Sequence, residues 1–567
     1  MRRSSCCLRV APALGLLLGL GLPSIASAAD YTVGPGQAFA TIGEVPWDGL
    51  QPGDNVLIHW QAAPYHEKWV ICARGTAAQP ITIRGVPGPN GELPVIDGQD
   101  AITPSNLDYW NEERGVIKIG GANVPADAVP AYIVLENLDV RSGRSANSFT
   151  AADGSTLAYA DNAAAVYVEK AEHLIIRRCD LHDSGNGLFV GVFDGATQDV
   201  LVEANHLYDN GNEGSDTEHN SYTSALGIIF QYNHYGPLRA GSDGINLKDR
   251  SAGTVVRFNW IEAGSRELDL VEGGATPAVL ADPRYRTTFV YGNVLVEHDD
   301  QSNSQILHYG GDSGDTTIYR KGTLYFYNNT VISLRSANTT IMNLSTNEEH
   351  CDCRNNLVYV TVDGSYLAML ADSGVLGLSH NWFKPGSVPS HGTLTGTIND
   401  DGTTVTGAAP GFADEATQDY HLADGSPCIN AGTALDPAVL PDNDLVAQYV
   451  SHQAGEGRPI DPPLDIGAFE RCTTGNCETP DAGTGGAAQG GSGQGNSGTG
   501  ASGTGASGTG ANGTGANGMG ANGDSQDQGG CGCRTEAGSS QGRGAPSLAL
   551  LGLAAAGARA RRRRRSR

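Results

Sequence analysis

The sequence predicts an all-β chain wound as a right-handed parallel β-helix, closed by a C-terminal cap and followed by a disordered glycine-rich linker. Three observations predict it. First, the stretch from His219 to Gly274 repeats: with Asn233 set on Asn259, Asn220 falls on Asn246, Ser221 on Leu247, Tyr222 on Lys248 and Ser224 on Arg250, an offset of 26 residues without a gap. A fixed period of that size marks stacked supersecondary units. Second, polar residues alternate with apolar ones, Asn246 and Lys248 with Ile245 and Leu247, Glu267 and Asp269 with Leu268 and Leu270. Alternate residues of a strand share a face, so the apolar set fills the solenoid and the polar set faces outward. Third, an asparagine recurs near the end of successive β runs (Asn137, Asn205, Asn233, Asn259, Asn293, Asn329, Asn356, Asn381, with Cys179 in the same column) at spacings mostly of 25 to 28.

In chain order, residues 1–28 read as a secretory signal: Arg2 and Arg3, an apolar run from Val10 to Leu22, then Ala26-Ser27-Ala28. Residues 29–400 are assigned to the solenoid. Its entrance, from Asp30 to Gly98, shows short β-branched runs punctuated by Gly and Pro, with Tyr65, His66 and Glu67 on an expected exposed turn. The asparagine column is read as structural, because Asn tolerates left-handed backbone and its amides can ladder from coil to coil. Residues 401–472 change character and are read as a cap, since a solenoid end must be covered. Residues 473–530, with repeats such as GTGAS and GTGAN, cannot bury a core and form a flexible tether. Residues 531–567 carry Cys531-Gly532-Cys533, a short apolar run and an arginine-rich end.

The chain has 567 residues, 78 of them Gly, and a formal net charge of −26. Loss of the basic ends would leave the body more acidic still. That balance argues against nucleic acid as a partner, and an anionic substrate must meet a local cationic cluster. A monomer is expected, with membrane contact only through the C-terminal tail. Cys472 and Cys477 bracket a small loop and are the expected disulfide in an oxidising compartment. Cys179 is expected as a buried thiol, and Cys351 and Cys353 are expected on opposite faces of one strand.

The candidate site is the outer face where coils meet near Ser221, Leu247 and Leu270. Asn220, Tyr222, Asn246, Lys248, Glu267 and Asp269 line it, Asp243, Arg250 and Glu272 flank it, and a later coil adds His308 and Tyr309. The motif His308-Tyr309-Gly310-Gly311-Asp312 is aligned with Val271-Glu272-Gly273-Gly274. Strands of adjacent coils lie about 4.8 Å apart, so these side chains can converge on one sugar-sized spot. A lysine among carboxylates reads either as an exposed ion-pair ladder or as a base and cation site beside a uronate.

Several segments resemble known families. The motifs Val33-Gly34-Pro35-Gly36-Gln37 and Leu50-Gln51-Pro52-Gly53-Asp54 resemble the opening coils of secreted β-helical polysaccharide-acting proteins. Asp419-Tyr420-His421-Leu422 and Asp465-Ile466-Gly467-Ala468-Phe469-Glu470 resemble the module that closes many of them. The last 37 residues resemble the sorting tail of myxobacterial surface proteins, which implies Cys531 as the processed residue and a cell-surface or extracellular location; a plain membrane anchor is the alternative. Gly241 to Gly274 resembles the active-site coils of the chondroitinase B and alginate lyase family of polysaccharide lyases. That resemblance implies β-elimination on a uronate polysaccharide, with Lys248 as Brønsted base and Asp243 as calcium-binding acid. The family's second acid corresponds to Gly241 and its catalytic arginine to Val271, with Arg266 as the nearest substitute. The expected catalytic set is therefore Lys248, Arg250, Tyr222, Arg266 and His308, with substrate contacts from Asn220, Asn246 and Tyr309. Asp243, Glu267 and Asp269 would hold Ca²⁺ through oxygen ligands. Two other readings stay open: a glycoside hydrolase using Glu267 with Asp269, or Asp243 against Asp269, as its carboxylate pair, and a polysaccharide-binding surface protein without turnover.

Overall fold

The structure, a computed structural model, describes residues 28–480 apart from 275 and 301. The signal segment before Ala28, the linker beyond residue 480 and the tail with Cys531 lie outside the described residues.

Three long parallel sheets of 13, 11 and 10 strands run the length of a right-handed solenoid. One coil shows the plan: Leu226–Gln231 lies in the 13-stranded sheet, His234–Tyr235 in the 11-stranded sheet and Leu247–Asp249 in the 10-stranded sheet, before Ala252–Arg257 re-enters the first. The register is the one the repeat predicts: Ser221 pairs with Leu247, Tyr222 with Lys248, and Val255 of the next coil follows Ile229. Inward residues such as Phe230, Tyr235, Leu247, Leu268 and Leu270 are fully buried in one continuous core.

The turn from the first sheet to the second carries the asparagine column, and it is a buried ladder. The N–H and the Nδ2 of Asn233 both donate to Asn259 Oδ1 at 3.0 Å, and the pattern continues through Asn293, Asn329, Asn356 and Asn381. Each amide also donates to a backbone carbonyl of the coil before, as Asn259 Nδ2 does to Phe230 O at 3.0 Å. The left-handed residue is the one before each asparagine, at Tyr232 (φ 56°), Phe258 (φ 53°) and Asn355 (φ 57°). Asn137 belongs to that left-handed set at φ 58°, so Leu138, paired in register beside Cys179, takes the ladder slot instead. Cys179 is buried there, its N–H donating to Asn205 Oδ1 at 3.0 Å.

Three local expectations are corrected. Cys351 and Cys353 are both buried, because residues two apart on a strand share a face, and Asp352 points the other way. Tyr65 is buried with its hydroxyl donating to His59 O at 2.5 Å, and Glu67 accepts the N–H groups of Ile42 and Gly43; only His66 of that trio is exposed. The segment read as an end cap lies along the flank. Its hairpins Phe412–Asp414 with Asp419–Leu422 and Ala447–Val450 with Ala454–Gly457 pack with Ile466 and Phe469 on Trp260, Val294, Ile332, Leu357 and Trp382, the outward residues of the 11-stranded sheet. Asn328 Nδ2 binds Asp465 O at 2.9 Å, fastening the flap to the asparagine turn. Cys472 and Cys477 form the expected disulfide, with Cα atoms 5.7 Å apart.

Asn259→Ala removes a buried amide that accepts two N–H bonds and strands its neighbours' donors, and is expected to cost about 3 kcal/mol in denaturant unfolding. Asn137→Ala, outside the ladder, is expected to cost about 1 kcal/mol or less. The flap also seats His452 on a histidine stack, with His206 and His234 at 4.6 Å and His234 and His452 at 4.2 Å between ring centres. Burial, aided by neighbouring imidazoles, pushes His206 down to about 3 and lowers His452 below the ordinary imidazole value. Released histidines bind protons that docked ones refuse, so flap docking should weaken as pH falls below about 6.5. Hydrogen exchange over residues 410–470 at pH 5 and pH 7.5 measures this, and His206→Phe should blunt the difference.

Candidate active site

The 10-stranded sheet turns one column of residues outward: Phe189, Tyr222, Lys248, Asp269, His308 and Asn343, one from each successive coil. Parity decides this, since Leu188, Ser221, Leu247, Leu268 and Leu307, one position earlier, point inward.

Lys248 is the centre of the column. Its Nζ donates to Asp269 Oδ2 and, at 2.7 Å, to Asp312 Oδ2. Arg250 grips both oxygens of Asp312 at 2.8 and 2.9 Å, donates to Tyr222 Oη at 3.0 Å and lies 3.5 Å from Glu272. Glu272 in turn accepts the N–H groups of Asp312 and Ser313 at 2.8 and 3.0 Å, which fixes the loop that brings Asp312 back. Arg266 lies 3.6 Å from Asp269 and is held by Gln305 Oε1 at 2.7 Å. His308 bridges Asp269 Oδ1 at 2.7 Å and Ser345 Oγ at 2.9 Å.

Burial makes this an electrostatic lock. For Lys248 it opposes the charge, but Asp269 and Asp312 outweigh it and the ammonium is raised above its ordinary value. Burial likewise opposes ionisation of Asp269, yet Lys248, His308 and Arg266 hold that carboxyl well below the usual range. Asp312 follows the same pattern, with Lys248 and Arg250 lowering it against its burial. The side chains differ in access: Asp269 is 1 % exposed and Asp312 30 %.

The predicted catalytic residues Tyr222, Lys248, Arg250, Arg266 and His308 are therefore brought together. The predicted substrate contacts are not. Asn220 and Asn246 are fully enclosed and form a second ladder, Asn210 to Asn220 at 2.9 Å and Asn220 to Asn246 at 2.5 Å, in the turn entering this sheet. Tyr309 points into the core, with burial pushing its hydroxyl up to about 12. His308 pairs with Asp269 and not with Val271, so the glycine pair of 310 and 311 is not the register partner of Gly273-Gly274. The calcium donors do not gather either. Asp243 is exposed on the preceding loop, Glu267 is fully buried, and Asp269 is committed to Lys248, His308 and Arg266. Among the described residues no group of three or more His, Cys, Asp or Glu side chains could hold a metal. The donor set in this arrangement does not fit calcium.

Sequence reasoning missed Asp312 as a site residue, and Ser345 altogether. Asp312 stands four residues after His308, beyond its strand, and Ser345 just after Thr339–Leu344. Two open concavities lie elsewhere, one beside His350, Asp352 and Arg354 and one beside Thr41, Tyr65 and Glu67; neither includes a predicted site residue.

No protein-family model matches the chain, and no curated protein matches it. Among solved structures it is similar to the alginate lyase of Paenibacillus sp. str. FPU-7, at 14% identity over 65% of this chain and 99% of that one, with a TM-score of 0.37. It is similar to the pectate lyase Pel9A at 13% identity over 79% and 98%, with a TM-score of 0.39. The lacto-N-biosidase of Eubacterium ramulus gives 14% identity, 67% of each chain and a TM-score of 0.38. Likeness at this level says nothing of side-chain chemistry or activity.

The lock itself can be tested. Asp269→Asn leaves Lys248 buried with one carboxylate fewer and is expected to cost about 3 kcal/mol. Because the Asp269 carboxyl is held low in the fold, its contribution is present above the unfolded value near 3.8 and is lost as pH falls. Urea titrations at pH 7 and pH 3 should show the gap between wild type and Asp269→Asn closing at the acid end.

Proposed function

We propose that this protein acts on an anionic, uronate-containing polysaccharide along the outer face of its 10-stranded sheet, cleaving it by β-elimination. The observation that carries the reading is the pair Lys248 and Arg250 held on the half-exposed Asp312. A substrate carboxylate has the charge and the planar two-oxygen shape to take the place of Asp312 on that pair. Neutralising the carboxylate acidifies the neighbouring C–H, which is what elimination needs before a base can remove the proton. Lys248, raised by its carboxylates, serves better as that neutralising cation than as the base. Tyr222 lies beside it in the same column and His308 two coils on, beyond Asp269, and these are the groups proposed to take the proton. Export of the chain, anchoring through the tail with Cys531 and a monomeric state belong to the same reading, as properties suited to a polymer outside the cell.

The hydrolase alternative is less well supported. Its carboxylate pair would be Glu267 with Asp269, or Asp243 against Asp269, and Asp269 is enclosed with its oxygens engaged by His308 and Lys248, while Glu267 is fully buried and Asp243 lies exposed on the preceding loop. The test is a screen of uronate polymers for ultraviolet-absorbing unsaturated product, with and without chelator. Unsaturated product, insensitive to chelator and reduced at least about 100-fold in Lys248→Ala and Arg250→Ala, is the expected result. New reducing ends without absorbance would transfer the reading to a hydrolase, and retained polymer binding without any product to a binding protein. Loss of product with chelator would mean that substrate draws the carboxylates into a metal site absent from the resting arrangement.

A further inference from the structure

Ser345, His308 and Asp269 stand in line on three successive coils. Asp269 is buried and accepts only, so the Nδ1 of a neutral His308 facing it at 2.7 Å carries the hydrogen. That leaves Nε2 as an acceptor, and it faces Ser345 Oγ at 2.9 Å. Lys248 occupies the other oxygen of Asp269, Oδ2, so Oδ1 stays with the imidazole. Ser345 is half-buried at the edge of the face, where a substrate can reach it. The Gly311 N–H points at its Oγ from 2.8 Å, a peptide donor at the reacting oxygen. Gly310 lets the serine sit there: at φ +128° it carries no Cβ, and one would come within 2.6 Å of Ser345 Oγ. Oγ also lies 2.9 Å from Gly311 O, so a purely structural role, stapling this loop, is the competing account.

We propose that Ser345, His308 and Asp269 form an acyl-transfer centre that hydrolyses carboxylic esters, with O-acyl groups on sugars as the substrate class. The class rests on the polysaccharide reading above; the centre itself does not. In the first half-reaction Ser345 Oγ bonds to the acyl carbon while its proton passes to His308 Nε2, and Asp269 steadies the imidazolium. Collapse breaks the acyl–oxygen bond, and His308 returns the proton to the leaving sugar hydroxyl. Water, deprotonated by His308, then attacks the acyl-serine; the acyl–Oγ bond breaks and His308 returns the proton to Ser345 Oγ, so ester and water give acid and alcohol with no other reactant. Gly311 N–H, which donates to Ser345 Oγ at 2.8 Å, eases departure of that oxygen when the acyl-serine breaks down.

A fluorophosphonate probe applied to the wild-type protein, with ester hydrolysis followed in two variants, tests this. A single adduct mapped by mass spectrometry to Ser345 is expected, together with hydrolysis of p-nitrophenyl acetate that falls at least about 1,000-fold in Ser345→Ala and His308→Ala. No adduct, or an adduct only at another serine, overturns the proposal. So does p-nitrophenyl acetate hydrolysis that survives unchanged in a folded Ser345→Ala. Loss of uronate cleavage is a separate measurement: an adduct at Ser345 in a protein that cleaves no uronate polymer keeps this inference and removes the lyase reading.

Discussion

One buried amide per coil organises this molecule. A parallel coil must turn sharply between its first and second sheets, and the turn leaves backbone N–H and C=O groups facing inward, away from water. The ladder from Asn205 to Asn381 satisfies them, each side chain accepting two bonds from the coil before and donating to the coil after. Because every amide needs the next, neighbouring coils must keep one height and one rotation at this corner. A second ladder, Asn210 to Asn220 to Asn246, does the same at the turn into the 10-stranded sheet. The outward column of the site hangs from that second corner. Lys248 follows Asn246 by two residues, so the amide that pins Asn246 also fixes where the ammonium emerges.

That rigidity explains why charges can be stacked so closely. Lys248, Arg250 and Arg266 face Asp269, Glu272 and Asp312, three cations against three carboxylates. Buried ion pairs repay their desolvation only when geometry is good and the remaining polar atoms are bonded. Here backbone N–H groups complete Glu272, and Gln305 completes Arg266. The cluster is balanced, so it attracts no anion by net field; it can accept one only by exchange.

The solenoid was legible because its period is gapless where it matters. Between Ser221 and Leu247 one offset fixes side-chain parity for Tyr222 and Lys248, alternation with Leu268 and Leu270 does the same for Asp269, and all three face outward. Parity says which side of a strand a residue takes, but not whether a turn closes over it, which is why Asn220, Asn246 and Glu267 were expected in solvent and are enclosed. Where loops lengthen, the spacing loses its hold. Aligning Gly310-Gly311 with Gly273-Gly274 shifted His308 off Asp269 and left Tyr309 outside, although alternation alone forbids His308 and Tyr309 from sharing a face. Asp312 and Ser345 follow the ends of their strands, in the backbone between coils, and no local pattern announces which distant carboxylate or imidazole such a residue will meet.

Access then separates the two carboxylates on Lys248. Asp269 is enclosed, fixed on one oxygen by His308 and on the other by the ammonium. Replacing it would strand His308 and Arg266 as well. Asp312 is half-exposed, and among the described residues its carboxylate bonds to side chains that an incoming anion could also bond, Lys248 and Arg250. Displacing it exchanges one carboxylate for another at the same two cations, while its backbone stays tied to Glu272. The energetic cost of entry is therefore the movement of one side chain on a fixed loop. Asp269 meanwhile keeps His308 oriented toward Ser345 whichever carboxylate occupies the outer position, so the imidazole is held ready by the part of the cluster that does not exchange.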